Sequence, residues 1–276
     1  MSRKNKFILV FGYVGFLAFL FEGSARLAFS IPQVGKRLQA NDEYTYRRNW
    51  VQKHQKFGIE AYYAFDMGVH GYGHDQMLIL LKEEGIKYEP DIVILGFLPL
   101  DMPRNLLQFR DFAKPRFVLE SGQLKLTGTP VPRPEDILQW DWTRPRIVDL
   151  FSLMRHKVKK FLGLQKKEME DITTAILMDL IGSIESIHAT PILAYLPRGR
   201  EIAMDTAVTQ DEAYMSSLCQ LNENAKCFST RPYFAEKMAK GETFKSRGHW
   251  EPAGHLVVAE AIKDYLVESR ASGSLD

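Results

Sequence analysis

Cysteine is scarce: Cys219 and Cys227 are the only two in 276 residues, which excludes a disulfide-rich scaffold and a four-thiolate zinc site. An excess of one charge is also missing. Lys and Arg number 36 against 34 Asp and Glu, a net charge of +2, so no broad basic field marks the chain for nucleic acid. Glycine (19) and proline (13) are too few for a collagenous or low-complexity chain, and no internal repeat is visible. The composition that remains, 45% hydrophobic and 25% charged, is that of a globular protein.

Long apolar runs are lacking too, with one exception. Arg3, Lys4 and Lys6 precede Phe7 to Phe21, 15 residues without a charge. That length suits a signal-peptide core and falls short of the ~20 residues of a membrane span. The run continues as Glu22-Gly-Ser-Ala-Arg-Leu-Ala-Phe29, and snorkelling of Arg26 in a thin bilayer would let 7–29 span. Residues 1–29 are therefore expected to be an uncleaved N-terminal membrane anchor. Cleavage after Ala25 is the alternative, because Gly23 and Ala25 are small. Cations flank the run on both sides, so their count barely decides orientation; a single-pass protein with its body on the periplasmic or extracytoplasmic side is expected.

The body, 30–276, alternates buried-strand and helix patterns. Ile59–Phe65 is β-branched and aromatic, a strand candidate. Asp75 to Gly85 carries Met77, Leu78, Leu80 and Leu81 at helical spacing. Asp91-Ile-Val-Ile-Leu-Gly-Phe97 and Pro191-Ile-Leu-Ala-Tyr-Leu-Pro197 are continuous apolar runs, the pattern of parallel strands covered on both faces. Between them, Arg116 to Leu126 alternates around Ser121-Gly122 and predicts an exposed β-hairpin, and Pro134 to His188 is rich in helix signals. Asp211–Leu221 is predicted helical, Ala225–Phe228 a short strand, and Pro252–Val267 a closing helix with Pro252 in its first turn. Strands alternating with helices predict an α/β domain with a mostly parallel sheet.

Two stretches carry chemistry. Gly68-Val-His-Gly-Tyr-Gly73 falls between a strand candidate and a helix start, where glycines allow close backbone approach and amides stay free for an oxyanion; a plain strand–helix turn is the alternative. It has neither the Lys-Ser/Thr of a phosphate loop nor the spacing of a dinucleotide fingerprint, so no cofactor is expected. Arg247-Gly-His-Trp-Glu-Pro-Ala-Gly-His255 precedes the last helix, and a loop His such as His249 suits a general base or a structural bond to backbone. His70 and His74 are four apart, but no third ligand stands at metal spacing, so no metal site is expected. Asp101-Met-Pro-Arg-Asn105 follows the 92–97 strand, where open α/β sheets bind ligands; a capped turn is the other reading. Cys219 and Cys227 are near enough for a local disulfide in an exported protein, or remain buried thiols. The cationic stretch His156–Lys167 is expected to be a solvated helix face that touches anionic headgroups if it lies near the anchor.

Together, Gly68-Val-His-Gly-Tyr-Gly-His-Asp-Gln76, Tyr88-Glu-Pro-Asp-Ile-Val-Ile-Leu95 and Gly248-His-Trp-Glu-Pro-Ala-Gly-His255 resemble blocks two, three and five of the SGNH (GDSL-type) hydrolases. The anchor ending Glu22…Arg26-Leu27, the hairpin between Pro115 and Pro132 and the Tyr195-Leu-Pro197 strand end are similar to membrane-anchored bacterial members. The resemblance runs from about residue 59 to 266. It implies a three-layer, flavodoxin-like α/β sandwich and ester or O-acyl hydrolysis, with Gly71 contributing an oxyanion amide and His249 the base. Asp101 and Asn105 would line the pocket. Amides aimed at a developing oxyanion lower such a barrier by ~3 kcal/mol.

The sequence departs from that family at its chemical positions. It has no Gly-Asp-Ser tripeptide, and Ser30 is the only serine between the anchor and block two. Leu100 stands before Asp101 where an Asn is usual, and Ser246 and Arg247 stand where the block-five Asp is expected. The domain reads as shortened at its N-terminal edge. Three functions follow: an anchored hydrolase of esters or O-acyl groups on cell-envelope glycan, a catalytically inactive relative that binds glycan or an envelope partner, or an anchored α/β scaffold with no pocket function.

Overall fold

The structure, a computed structural model, describes residues 20–27, 71–110, 112–202, 208–244 and 250–272, together with Leu17 and Val69. In chain order its elements are α1 (His74–Glu83), β1 (Ile92–Phe97), β2 (Arg116–Glu120), β3 (Gln123–Thr127), α2 (Pro134–Thr143), α3 (Arg146–Phe161), α4 (Leu164–Glu185), β4 (Thr190–Tyr195), α5 (Gly199–Ile202), α6 (Gln210–Leu221), β5 (Lys226–Ser229), α7 (Arg231–Ala239) and α8 (Pro252–Ala271). Two 3-10 segments, Gly85–Tyr88 and Pro99–Leu106, flank β1. The strand expected at Ile59–Phe65 and most of the expected 7–29 span lie outside the described residues. Among the described residues no helix is long and apolar enough to cross a membrane.

The protein is α/β, and among the described residues it has a three-stranded parallel sheet in the order β1-β4-β5. Parallel neighbours need a crossover of a dozen or more residues, and α6 occupies the one between β4 and β5. Strand β4 is central, which is why Pro191-Ile-Leu-Ala-Tyr195 is buried at every position. Proline is unusual in a central strand because it has no N–H to give. Here the sheet register explains it. Thr190 donates to Asp91 on the β1 side, so residue 191 faces the β5 side, and the β5 ladder begins only at Ile192↔Lys226. Pro191 stands where no ladder partner is lost.

The chain divides into two compact units, one of residues 1–63, 107–116 and 126–169, the other of 64–106, 117–125 and 170–276. The second unit holds the sheet. Its part of α4 buries Ile172, Ile176, Leu177, Leu180, Ile181 and Ile184, a helical-period stripe in which each side chain contributes about 1.5–3 kcal/mol on leaving water. Helix α6 lies against β5 and β4, and α7 against α8 and α5. Ile202, Phe234 and Val257 form a second cluster there, with Phe244 and Trp250 packed on it. In the first unit a small core gathers Phe109, Ala113 and Ile137.

The β2–β3 hairpin turns at Ser121 and Gly122, whose φ values are 52° and 81°. Two successive positive φ angles match the right-handed twist of the flanking strands, and the Gly supplies one of them without strain. A disulfide joins Cys219 at the end of α6 to Cys227 in β5, with Cα atoms 6.1 Å apart.

Candidate functional site

The stretch that resembles block two turns at Gly71, whose φ is +86°, a left-handed conformation that favours glycine. Gly73 then precedes the first residue of α1 in extended conformation. Its lack of a side chain is a matter of space rather than of backbone angle. A Cβ there would stand 2.8 Å from both Asn105 Oδ1 and Asp75 Oδ1, and 3.1 Å from Arg104 Cβ. The amides of the first turn find internal acceptors: Gly73 N–H donates to Gln76 Oε1 (3.4 Å), Gln76 N–H to Asp75 Oδ1 (2.8 Å) and Asp75 N–H to Asn105 Oδ1 (3.3 Å).

β1 ends at Phe97, and the chain turns through Pro99–Leu106 rather than entering a long helix. Asp101 is buried, its N–H on Leu98 O at 2.9 Å. Arg104 donates to the Asp101 carboxylate and, at 2.9 Å, to Tyr72 O. This guanidinium therefore clasps the Gly71–Tyr72 turn to the carboxyl end of β1, bringing together two stretches some thirty residues apart in sequence.

Asn105, fully buried, sits below that clasp. Because its Oδ1 accepts from a backbone N–H, its Nδ2 must be the group that faces His74 and Thr173. Nδ2 donates to Thr173 Oγ1 of α4 at 2.9 Å and to His74 Nδ1 at 3.3 Å. One side chain thus ties α1, the 3-10 segment and α4 together, and both amide hydrogens are used internally.

The same network fixes the state of His74. Burial, followed by the positive charge of Arg104, lowers its pKa from 6.5 to about 3, so the ring is neutral at physiological pH. With Nδ1 accepting, the proton is on Nε2, which is buried without a partner among the described residues. The ring stacks on Phe97, centroids 5.1 Å apart, and Phe97 in turn meets Tyr195 and Tyr214. A histidine of this kind is a poor general base. It is a flat ring held in one tautomer, accepting from Asn105 and stacked on the last residue of β1.

A second polar cluster stands at the end of β4. The buried Tyr195 hydroxyl donates to Glu201 Oε2 (3.0 Å) and lies 3.1 Å from Thr209 Oγ1. Glu201 also accepts from Arg198 N–H at 2.8 Å, and the Arg198 side chain pairs with Glu201 and Asp211. Burial raises the Tyr195 pKa well above its ordinary value. Tyr214, between Thr174 Oγ1 and Glu170 O, is pushed up to about 12, mainly by burial.

Against family models, curated proteins and solved structures the chain has no match. Of the residues singled out from the sequence, Gly71, Asp101 and Asn105 belong to one neighbourhood, joined through Arg104, Tyr72 and Asp75. His249 and His70 lie outside the described residues. Sequence reasoning missed Arg104, Thr173, His74 as an Asn105 partner, and Glu201. Only the i,i+3 spacing of Asp101 and Arg104 could have pointed to any of them. Among the described residues no three His, Cys, Asp or Glu side chains gather as a metal would require.

Proposed function

We propose that this chain is an SGNH-hydrolase-like protein whose site, beside Gly71 and Asp101 at the carboxyl end of β1, takes an ester or O-acyl group. The proposal carries a three-layer, flavodoxin-like sandwich, a membrane attachment through 7–29, and a body on the extracytoplasmic side that meets acylated envelope glycan or a small ester. The observation that carries it is the Arg104 clasp. It unites the glycine turn and the strand end that the two family-like stretches supply, at the edge where parallel sheets bind ligands. In this reading Gly71 offers an amide to the developing oxyanion and His249 moves the proton.

A second reading is binding without turnover, as in a catalytically inactive relative. Two observations favour it. The sequence has no Gly-Asp-Ser, so His249 has no family-type serine to deprotonate, and both Asn105 amide hydrogens are already committed to His74 and Thr173.

One experiment separates the two. The purified chain and its His249→Ala variant are given a small acetyl ester and a serine-directed phosphonate. Hydrolysis expects turnover that the variant loses and a label on one serine, located by mass spectrometry. Binding expects neither, with acetylated oligosaccharide still retained by the folded protein. A folded chain that neither turns over, labels nor binds would end both readings.

A further inference from the structure

Helix α3 turns its greasy side outward. It buries Asp149 and Leu153, with Asp149 held by Arg144 and Arg146 at 3.0 and 3.2 Å. On the opposite side Val148, Phe151, Met154, Val158 and Phe161 are exposed, Phe151 by 65% and Phe161 by 90%. At 3.6 residues per turn these five fall within an arc of about 140°. Isolated exposed apolar residues are ordinary; a helix-long stripe of them marks an interaction surface.

The charges identify the partner. Lys157 borders the stripe on one side and Lys159, paired with Glu168 at 2.7 Å, on the other; Arg155 lies within the arc near Val148, and Lys166 and Lys167 follow at the start of α4. Across 146–167 Asp149 is the only acidic residue, and it is buried. An apolar face edged by long cationic side chains is the pattern of a helix lying in a membrane interface, its lysine stems snorkelling to anionic headgroups. Two copies of such a face would repel through their cationic borders. At 16 residues with several cations, the helix is too short and too charged to span.

Position agrees. The Glu22 carboxylate accepts from the first backbone N–H groups of α3, those of Arg146 and Ile147, and pairs with Arg26 at 2.7 Å. Glu22, the residue that follows the chain's one long apolar run, Phe7 to Phe21, therefore caps the first turn of α3. Leu20, Phe21 and Leu27 are themselves exposed.

We infer that α3 is a second membrane contact, an amphipathic helix that lies on an anionic bilayer with Phe151, Met154, Val158 and Phe161 in the acyl–headgroup boundary. It holds the first unit on the surface, independently of whatever reaction the site performs.

The test uses the full chain with Phe161→Trp, reconstituted in phosphatidylcholine vesicles with and without phosphatidylglycerol, with the wild-type tryptophan signal subtracted. With the anionic lipid, the added tryptophan should shift its emission to the blue, lose acrylamide quenching several-fold relative to detergent, and be quenched by brominated lipid. Arg155→Glu with Lys157→Glu, both on exposed positions, should reverse this protection while circular dichroism stays unchanged. Acrylamide access equal in vesicles and detergent would overturn the inference. So would protection indifferent to phosphatidylglycerol and to the charge reversals, or protection without bromolipid quenching in a chain that sediments as a dimer, which would assign the stripe to a second copy.

Discussion

Asn105 donates to Nδ1 of His74 across 3.3 Å, and that one bond links the first residue of a helix to a 3-10 turn thirty-one residues later. It decides the tautomer of a buried ring. Through Asp75 N–H and Thr173 Oγ1 the same side chain fixes the position of α1 against α4. Three groups of the second unit thus depend on one amide.

Removing that amide should be costly. Asn105→Ala leaves the Asp75 N–H, the His74 ring and the Thr173 hydroxyl buried without their partner, and each orphaned group costs ~1–3 kcal/mol with incomplete additivity. A loss of roughly 2–4 kcal/mol is expected in urea unfolding, as a lower midpoint at unchanged slope. A midpoint within error of wild type would mean that the three contacts are not formed.

His74 predicts a pH dependence with a definite sign. Its folded pKa, about 3, lies below the unfolded 6.5. Between these values the unfolded chain binds the extra proton, so this group's contribution to stability is whole above about pH 6.5 and is lost as pH falls toward 3. The slope reaches at most ~1.4 kcal/mol per pH unit. The stability difference between wild type and His74→Gln should therefore change between about pH 5 and pH 7.5, wild type gaining on the variant as pH rises. Equal differences at both pH values would place the ring in water.

Two glycines should answer oppositely to the same substitution. Gly73→Ala drives a Cβ into Asn105 and Asp75, and overpacking of this kind costs about 1–3 kcal/mol. At Gly182, inside α4, an added Cβ would meet nothing within 4 Å, so Gly182→Ala should stabilise by about 0.5–1 kcal/mol through helix propensity. Thermal melts of the pair check this directly.

The Cys219–Cys227 bridge closes a short loop between the end of α6 and β5, eight residues apart. Both thiols should resist alkylation until the protein is reduced, as read by intact mass. Cys227→Ser should lower stability by about 2–3 kcal/mol on the loop-closure argument. Alkylation of either cysteine in the unreduced chain would contradict the pairing.

Much of the fold was legible in the sequence because it rests on local patterns. Apolar runs at 92–97 and 191–197, the Ser121-Gly122 turn and the helical periods of 75–85, 211–221 and 252–267 each carry their own signal, and each element is found within a few residues of its expected place. The short α5 and the helix α7 were missed. The first has only four residues; the second, Arg231–Ala239, has little difference between its faces from which a period could be read.

The site was legible only as a neighbourhood. Glycine at 71 and polar residues after β1 announce themselves by spacing, but a hydrogen bond between Asn105 and His74, or between Arg104 and Tyr72 O, has no sequence period. Sequence alone determined the α/β class, the positions of β1 to β5 and of α1, α6 and α8, the balanced charge and the cationic stretch at 156–167. Tertiary structure decided that β4 is the central strand, that Asn105 spends its amide inside the protein, that burial holds His74 neutral, and that α3 faces its apolar side outward. These depend on which groups lose water and which neighbours replace it, and that is settled only when distant segments pack.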